Sequence, residues 1–236
     1  MSEPLVLIPG MMCDARLFAP QINDLSREMT VQVAHIAQAG TIREMASEVL
    51  AAAPDRFALA GLSMGGIVAM EVLRRAPERV TRIALMSTTP LAETPEQAAW
   101  REPQIVKANA GRLDEAIAAA LPADNFAPGP ERNRILQLVI DMAYDFGPGV
   151  FIRQSRALQR RPDAQKVLRQ MKVPALILCG AHDRMTPVKR HEFMAELAPY
   201  AALEVIEEAG HLPTLETPAR VTDALRRWMA QPLMLR

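Results

Sequence analysis

The chain has 236 residues, half of them hydrophobic and 23% charged, with 27 basic side chains against 27 acidic ones. This length suits one large domain, or one domain carrying an inserted segment, and is ample for a sizeable core. The formal net charge of zero gives no basic surplus of the kind that marks nucleic-acid partners or binders of anionic membrane surfaces.

The N-terminal "MSEPLVLIPG" has no basic leader, and its apolar run is short. It does not read as a signal peptide, and no stretch reads as a bilayer span. Residues 5–9, "LVLIP", are a buried strand stopped by Pro9-Gly10, and 31–36, "VQVAHI", are a second strand. Residues 41–53 place Ile42, Met45, Val49 and Ala53 on one helical face. A third strand, 56–62, runs into "LAGLSMGG" and then a helix over 64–77, ended by Pro77. Arg74 and Arg75 lie at its C-terminal end, where cations suit the helix dipole. Residues 80–88 are the fourth strand, 173–180 the fifth and 202–210 the sixth. Helices are expected over 187–198 and 217–231, each starting at a Thr-Pro pair that suggests an N-cap hydroxyl before a first-turn proline. The last helix carries Val221, Leu225 and Trp228 on one face.

The strands are apolar runs more than alternations, and helices follow most of them. That pattern predicts an α/β fold whose mostly parallel sheet is covered on both faces. Residues 95–171 break the rhythm. They hold helical segments, a capping box at "TPEQ" (94–97) and loop-rich stretches, but no convincing strand. The expected division is a core of 1–94 and 172–236 with a helical insertion over 95–171, between the fourth and fifth strands. Two cysteines, Cys13 and Cys179, argue against a disulfide framework and for a reducing, cytoplasmic setting.

Ser63 lies in Gly61-x-Ser63-x-Gly65, between a strand and a helix. A serine hydroxyl is a weak nucleophile at neutral pH and needs a base, a group to orient that base, and donors for an oxyanion. Small flanking residues permit a tight strand-to-helix turn that holds the hydroxyl out, and the following helix aims its first amides at the same place. The four histidines are His35, His182, His191 and His211. His211 directly follows the sixth strand, at the carboxyl end where Ser63 also lies. His191 falls inside a helix, and His182 reads as a loop residue. The acid should also follow a strand. Glu207 and Glu208 are too close in sequence to His211 to approach its ring easily, which leaves Asp183 by elimination. The chain order Ser63, Asp183, His211 is the one expected of an α/β-hydrolase arrangement.

On "LIPG", "LAGLSMGG", "VPALILCGAHDRMTP" and "AGHLPTLETP" the sequence resembles the α/β-hydrolase superfamily, in its small, helix-capped bacterial esterase-like branch. The resemblance covers nearly the whole chain. It implies the α/β-hydrolase fold with about six strands and a small helical cap, a triad of Ser63, His211 and Asp183, and an oxyanion hole from the Met11 and Met64 backbone amides. Many relatives carry His-Gly after the first strand, where this chain has Pro9-Gly10. Neither a cofactor nor a metal is implied, and no metal-ligand motif is present. The expected partner is a small-molecule substrate, with oligomeric state left open. Met12, Phe126, Met142, Tyr144, Phe146 and Phe151 either line an apolar substrate pocket beside Met11 and Met64 or pack the insertion onto the sheet. The expected activity is hydrolysis of a small or medium, largely apolar ester. A thioesterase, lactonase, C–C bond hydrolase, acyltransferase or perhydrolase would use the same residues, and a non-catalytic small-molecule sensor would use the same fold.

Overall fold

The computed structural model describes residues 3–233. The outermost residues of the expected core, 1–2 and 234–236, lie outside them. The strands are β1 (Leu5–Ile8), β2 (Val31–Val33), β3 (Phe57–Leu62), β4 (Val80–Met86), β5 (Ala175–Gly180) and β6 (Ala201–Ile206). They form one sheet in the order β2-β1-β3-β4-β5-β6, and every neighbouring pair is parallel. The chain adds β2 on one side of β1 and then returns to place β3 on the other. This reversal opens a crevice at the carboxyl ends of β1 and β3, where ligands gather in such sheets.

The strands lack alternation because both faces are covered. Leu5, Leu7, Ala58, Ala60 and Leu62 enter one core cluster, together with α1 (Ala19–Leu25) and α11 (Pro218–Met229). Val6, Ile8, Phe57 and Leu59 enter the other, with α2 (Ile42–Ala52), α3 (Met64–Arg75) and α9 (Val188–Leu197). The apolar face expected for the last helix is in place, with Val221, Leu225 and Trp228 all buried.

Several local expectations change. The second strand ends at Val33 instead of residue 36, and the sixth ends at Ile206, before the turn at Glu207-Glu208. Helix α1 is too short for its periodicity to show in sequence. The two Thr-Pro pairs do not cap. Helix α9 begins after Pro187 with no side-chain cap, and the Thr186 hydroxyl is turned to Asp183 instead. Thr217 stands at the start of α11, but its hydroxyl donates to the Pro213 carbonyl at 3.2 Å.

Between β4 and β5 run α4 (Pro95–Trp100), α5 (Glu102–Asn109), α6 (Leu113–Ala120), α7 (Arg132–Gln159) and α8 (Gln165–Gln170), with no strand among the described residues. The capping box at Thr94 and Gln97 is present. Apolar side chains of α6 and α7, including Ile117, Val139 and Phe151, join the same cluster as Leu5 and Leu7. Helix α8 packs on the opposite face, where Leu168 joins the other cluster. At 28 residues, α7 meets the length and composition of a membrane span, contrary to the sequence expectation. Gly147 divides it at φ 76°, followed by Pro148. Each half, 132–146 and 148–159, is shorter than the roughly 20 residues that a span needs, and each buries a face against the core. The last short helix, α10 (Pro213–Glu216), precedes α11.

The turn after β3 depends on two close approaches. A Cβ on Gly61 would stand 2.3 Å from the Gly65 carbonyl oxygen, and one on Gly65 would stand 2.0 Å from that of Ile8. All of these atoms are backbone, so nothing soft can yield. Gly65→Ala is expected to lower unfolding free energy by about 2–3 kcal/mol, the upper part of the overpacking range, as read by urea titration. An unchanged midpoint would show that the contact between β1 and α3 is looser than these distances require.

Candidate active site

Ser63 is the residue between β3 and α3. Its backbone sits at φ 54° and ψ −117°, a region a side chain rarely adopts. The turn is pinned on both sides: the Ser63 N–H donates to the Met86 carbonyl at 2.9 Å, and the Thr88 hydroxyl donates to the Ser63 carbonyl at 2.7 Å. The constrained backbone projects the hydroxyl into a cavity of about 290 Å³.

His211 follows β6 and is 3% exposed. Its Nε2 lies 3.0 Å from Ser63 Oγ, and its Nδ1 lies 2.8 Å from Asp183 Oδ2. In the neutral ring these contacts assign Nδ1–H as donor to Asp183 and Nε2 as acceptor from the serine hydroxyl. Asp183 follows β5. It also accepts from the Met185 and Thr186 amides, both at 2.9 Å, and from the Thr186 hydroxyl at 2.6 Å. Burial alone would raise its pKa, but His211 and the Thr186 donors outweigh that and hold it below the ordinary carboxylate value. The three side chains singled out in sequence therefore meet in one hydrogen-bonded line.

The Met11 and Met64 amides carry no hydrogen bond among the described residues. Met64 is the first residue of α3, and Met11 lies in the turn after β1. Both residues line the cavity with Ser63. The neighbouring Met12, at φ 55°, is different: its N–H donates to Gln154 Oε1 on α7 at 2.8 Å. The Met12 N–H is thereby taken, unlike that of Met11.

Of the six proposed pocket residues, Met12 and Phe151 line the cavity. The other four do not, and each has a physical reason. Phe126 is buried beside the His211 loop, with its Cα 2.7 Å from where a Gly210 Cβ would stand. Met142 is fully buried, and its sulfur accepts from the Asp14 amide at 3.5 Å. Tyr144 is 56% exposed on the outside of α7. Phe146 packs near the ring of His35, 6.2 Å between centroids. The wall is instead built by Ile117, Leu121, Val139 and Leu158 from the helices after β4, with Met185 and Leu212 from the other side.

Several supporting residues lie outside the candidates read from the sequence. Glu216 is the clearest: its carboxylate accepts from the Ala127, Gly210 and Leu212 amides at 2.7, 2.9 and 2.9 Å. These bonds clamp the loop on both sides of His211. Burial still pushes the Glu216 pKa up, and the amides oppose it only in part. The Asn125 carbonyl accepts from the His211 N–H at 2.7 Å. His191, which the sequence places inside a helix as a surface or packing residue, is fully buried and accepts from the Thr88 N–H at Nε2, 3.1 Å away. Glu216 alone had a sequence cue, since it lies in the "LETP" run after His211. Cys13 also lines the cavity, but burial pushes its pKa up to about 12, so it is a thiol and not a competing nucleophile. Among the described residues no group of three or more His, Cys, Asp or Glu side chains gathers to hold a metal.

A parallel six-stranded sheet with a strained serine turn, an imidazole after the last strand and a carboxylate after the fifth defines an α/β-hydrolase-fold protein. The chain belongs to the alpha/beta hydrolase family, whose model matches residues 6–224. It is 24% identical to a pimeloyl-[acyl-carrier protein] methyl ester esterase of Aliivibrio fischeri, over 98% of this chain and 95% of that one. It is 26% identical to the enzyme of the same name from Xanthomonas oryzae, over 96% and 94%. Among solved structures it is similar to an esterase from Thermogutta terrifontis, with a TM-score of 0.87, 24% identity, and coverage of 97% and 90%. It is also similar to the enol-lactonase of Burkholderia xenovorans, with a TM-score of 0.86, 23% identity, and coverage of 98% and 92%. These two likenesses show the fold. The chain is an α/β-fold hydrolase.

Two predictions come from the supporting residues. Glu216→Ala leaves three buried amides without an acceptor, so it should cost about 3 kcal/mol or more of stability and lower turnover through His211. Urea unfolding and initial rates measure both, and a stable, fully active variant would remove Glu216 from its supporting role. Burial lowers the His191 pKa from 6.5 to about 4, against the opposing charge of Asp183. Between those values the unfolded chain takes up a proton that the folded chain refuses. Stability should therefore fall by about 3 kcal/mol as pH drops across that window. The depressed Asp183 acts lower: its stabilising share is present above the unfolded carboxyl value and is lost only as pH falls through the folded one. Unfolding curves at a series of pH values should show a shallower slope across the window in His191→Gln, and an unaltered slope would point to other groups.

Proposed function

We propose that the protein hydrolyses a small or medium ester, apolar around the reacting carbonyl, through an acyl-enzyme on Ser63. The observation that carries this reading is the line Ser63–His211–Asp183, with contacts of 3.0 and 2.8 Å, at the wall of a cavity. His211 Nε2 takes the hydroxyl proton as Ser63 Oγ attacks the carbonyl carbon. The carbonyl oxygen gains negative charge and is held by the Met11 and Met64 amides. The first of these lies in a turn anchored through Met12 and Gln154, and the second sits at the positive end of α3. His211 then gives its proton to the leaving alcohol oxygen, and the ester C–O bond breaks. A water, deprotonated by His211, attacks the acyl carbon and releases the acid, restoring the serine. Asp183 keeps the Nδ1–H tautomer and stabilises the imidazolium.

In this reading the helices after β4 act as a cap. They supply Ile117, Leu121, Val139 and Phe151 to the apolar wall, and the Asn125 contact with His211 ties them to the base. The esterase names of the relatives support ester chemistry over the other acyl and C–C bond reactions open to such a triad. A cytoplasmic location is part of the reading, supported by two buried, unpaired cysteines.

Short p-nitrophenyl esters test it. The expected result is sustained release after an initial burst, reduced by roughly four orders of magnitude in Ser63→Ala and to a similar degree in Asp183→Asn. A single turnover with no further release would favour a ligand sensor, and release that survives Ser63→Ala would remove the acyl-enzyme.

A further inference from the structure

One part of the cavity wall carries Glu93, Arg101, Arg161 and Arg190. The Glu93 side chain is 2% exposed, and its Oε1 accepts from Arg161 Nη1 at 2.6 Å and from Arg101 Nε at 2.8 Å, with Arg101 Nη2 at 2.7 Å. Its Oε2 is buried with no donor among the described residues. The Arg161 side chain is 7% exposed. Its Nε donates to the Leu91 carbonyl at 2.9 Å, Nη1 has a second, long contact to the Leu158 carbonyl at 3.5 Å, and Nη2 has no partner among the described residues. Arg190, half-buried on α9, makes no side-chain hydrogen bond or ion pair among the described residues, yet it is near enough to act on Arg161.

Among the described residues Glu93 is the only carboxylate in this wall, so three guanidiniums accompany one acid, a formal excess of two positive charges. A clamp joining the segment after β4 to the end of α7 needs one cation for one carboxylate. Arg101 and Arg161 share that one carboxylate, and Arg190 takes no part in the clamp. Burial works most strongly against protonated Arg161, Glu93 opposes it, and the like charges of Arg101 and Arg190 add smaller opposition to the charge. Excess buried charge is costly unless a counter-ion meets it. A planar guanidinium with an unused N–H edge is the group best matched to a carboxylate.

We propose that this wall is a subsite for a free carboxylate on the substrate, so that the preferred esters are half-esters of dicarboxylic acids. The proposal rests on the ester hydrolysis set out above and names its substrate class. The scissile carbonyl lies at Ser63, an apolar chain crosses the cavity, and the far carboxylate meets Arg161 and Arg190. Each turnover consumes one water and yields the alcohol and the dicarboxylate.

The test compares the monomethyl esters of succinate, glutarate and adipate with methyl butyrate, valerate and hexanoate, following acid release by pH-stat. The best half-ester should exceed its neutral partner in kcat/KM by about tenfold or more, as expected of charge-assisted contacts. The gap should lie mainly in KM and narrow with added salt. In Arg190→Gln and Arg161→Gln the ratio of half-ester to neutral ester should fall by about tenfold. Arg190→Gln keeps the test decisive if the buried Arg161 variant does not fold. A wild-type ratio of one or less, or a ratio untouched in Arg190→Gln, would overturn the proposal. A second arm needs no catalysis: glutarate and adipate should raise the unfolding temperature of Ser63→Ala, and lose that effect when Arg190→Gln is added. Stabilisation without hydrolysis of any ester would keep the subsite and end the esterase reading. Hydrolysis without preference or stabilisation would do the reverse. Inorganic phosphate stabilising more strongly than either dicarboxylate would overturn the choice of carboxylate.

Discussion

The structure depends on how closely three pieces of backbone approach one another beneath Ser63. Helix α3 can descend onto β1 only because Gly65 offers no side chain to the Ile8 carbonyl, and it can fold back on β3 only because Gly61 offers none to Gly65. With those distances fixed, the chain must turn within a single residue, and Ser63 takes up φ 54°. The serine hydroxyl, the first amide of α3 and the turn after β1 then converge on one small volume. A wider turn would still close the sheet, but it would separate the Ser63 hydroxyl from the Met11 and Met64 amides.

Around that turn the insertion does more than cover a cavity. Gln154, on α7, holds the Met12 amide, while Asn125 holds the amide of His211. One contact fixes the turn after β1, and the other fixes the backbone of His211. The inserted helices are thus bonded to both. Glu216 completes the second anchor through bonds to Ala127 and to the residues on either side of His211. A displacement of these helices would be felt at the turn after β1 and at the imidazole together. The lining of the cavity is mixed in character, with apolar side chains and a partly neutralised group of guanidiniums.

The sequence made the architecture legible because buried parallel strands read as apolar runs and the helices between them carry their own periodicity. It was weaker wherever a short element or a cap depended on distant partners. The hydroxyl of Thr186 sits where a helix cap would be read, but Asp183 lies closer to it in space and takes it. Phe126, Met142, Tyr144 and Phe146 share the composition of a pocket and are spent on packing or on the outer surface. The charged wall left no local trace, since Glu93, Arg101, Arg161 and Arg190 come from separate segments and resemble ordinary surface residues in sequence.

By itself, the sequence determined the layers of the fold, the tight turn at Ser63 and the positions of Asp183 and His211 after strands. Each of these is written locally, as an apolar run, a glycine spacing or a residue just past a strand end. Tertiary structure alone decided which donors each carboxylate receives, which amides stay unpaired and which side chains reach the cavity. Those outcomes depend on distances between segments that can be more than a hundred residues apart, as between Gln154 and Met12. Local preferences do not set such distances. They are set by how closely the packed helices and the sheet fit once the backbone has closed.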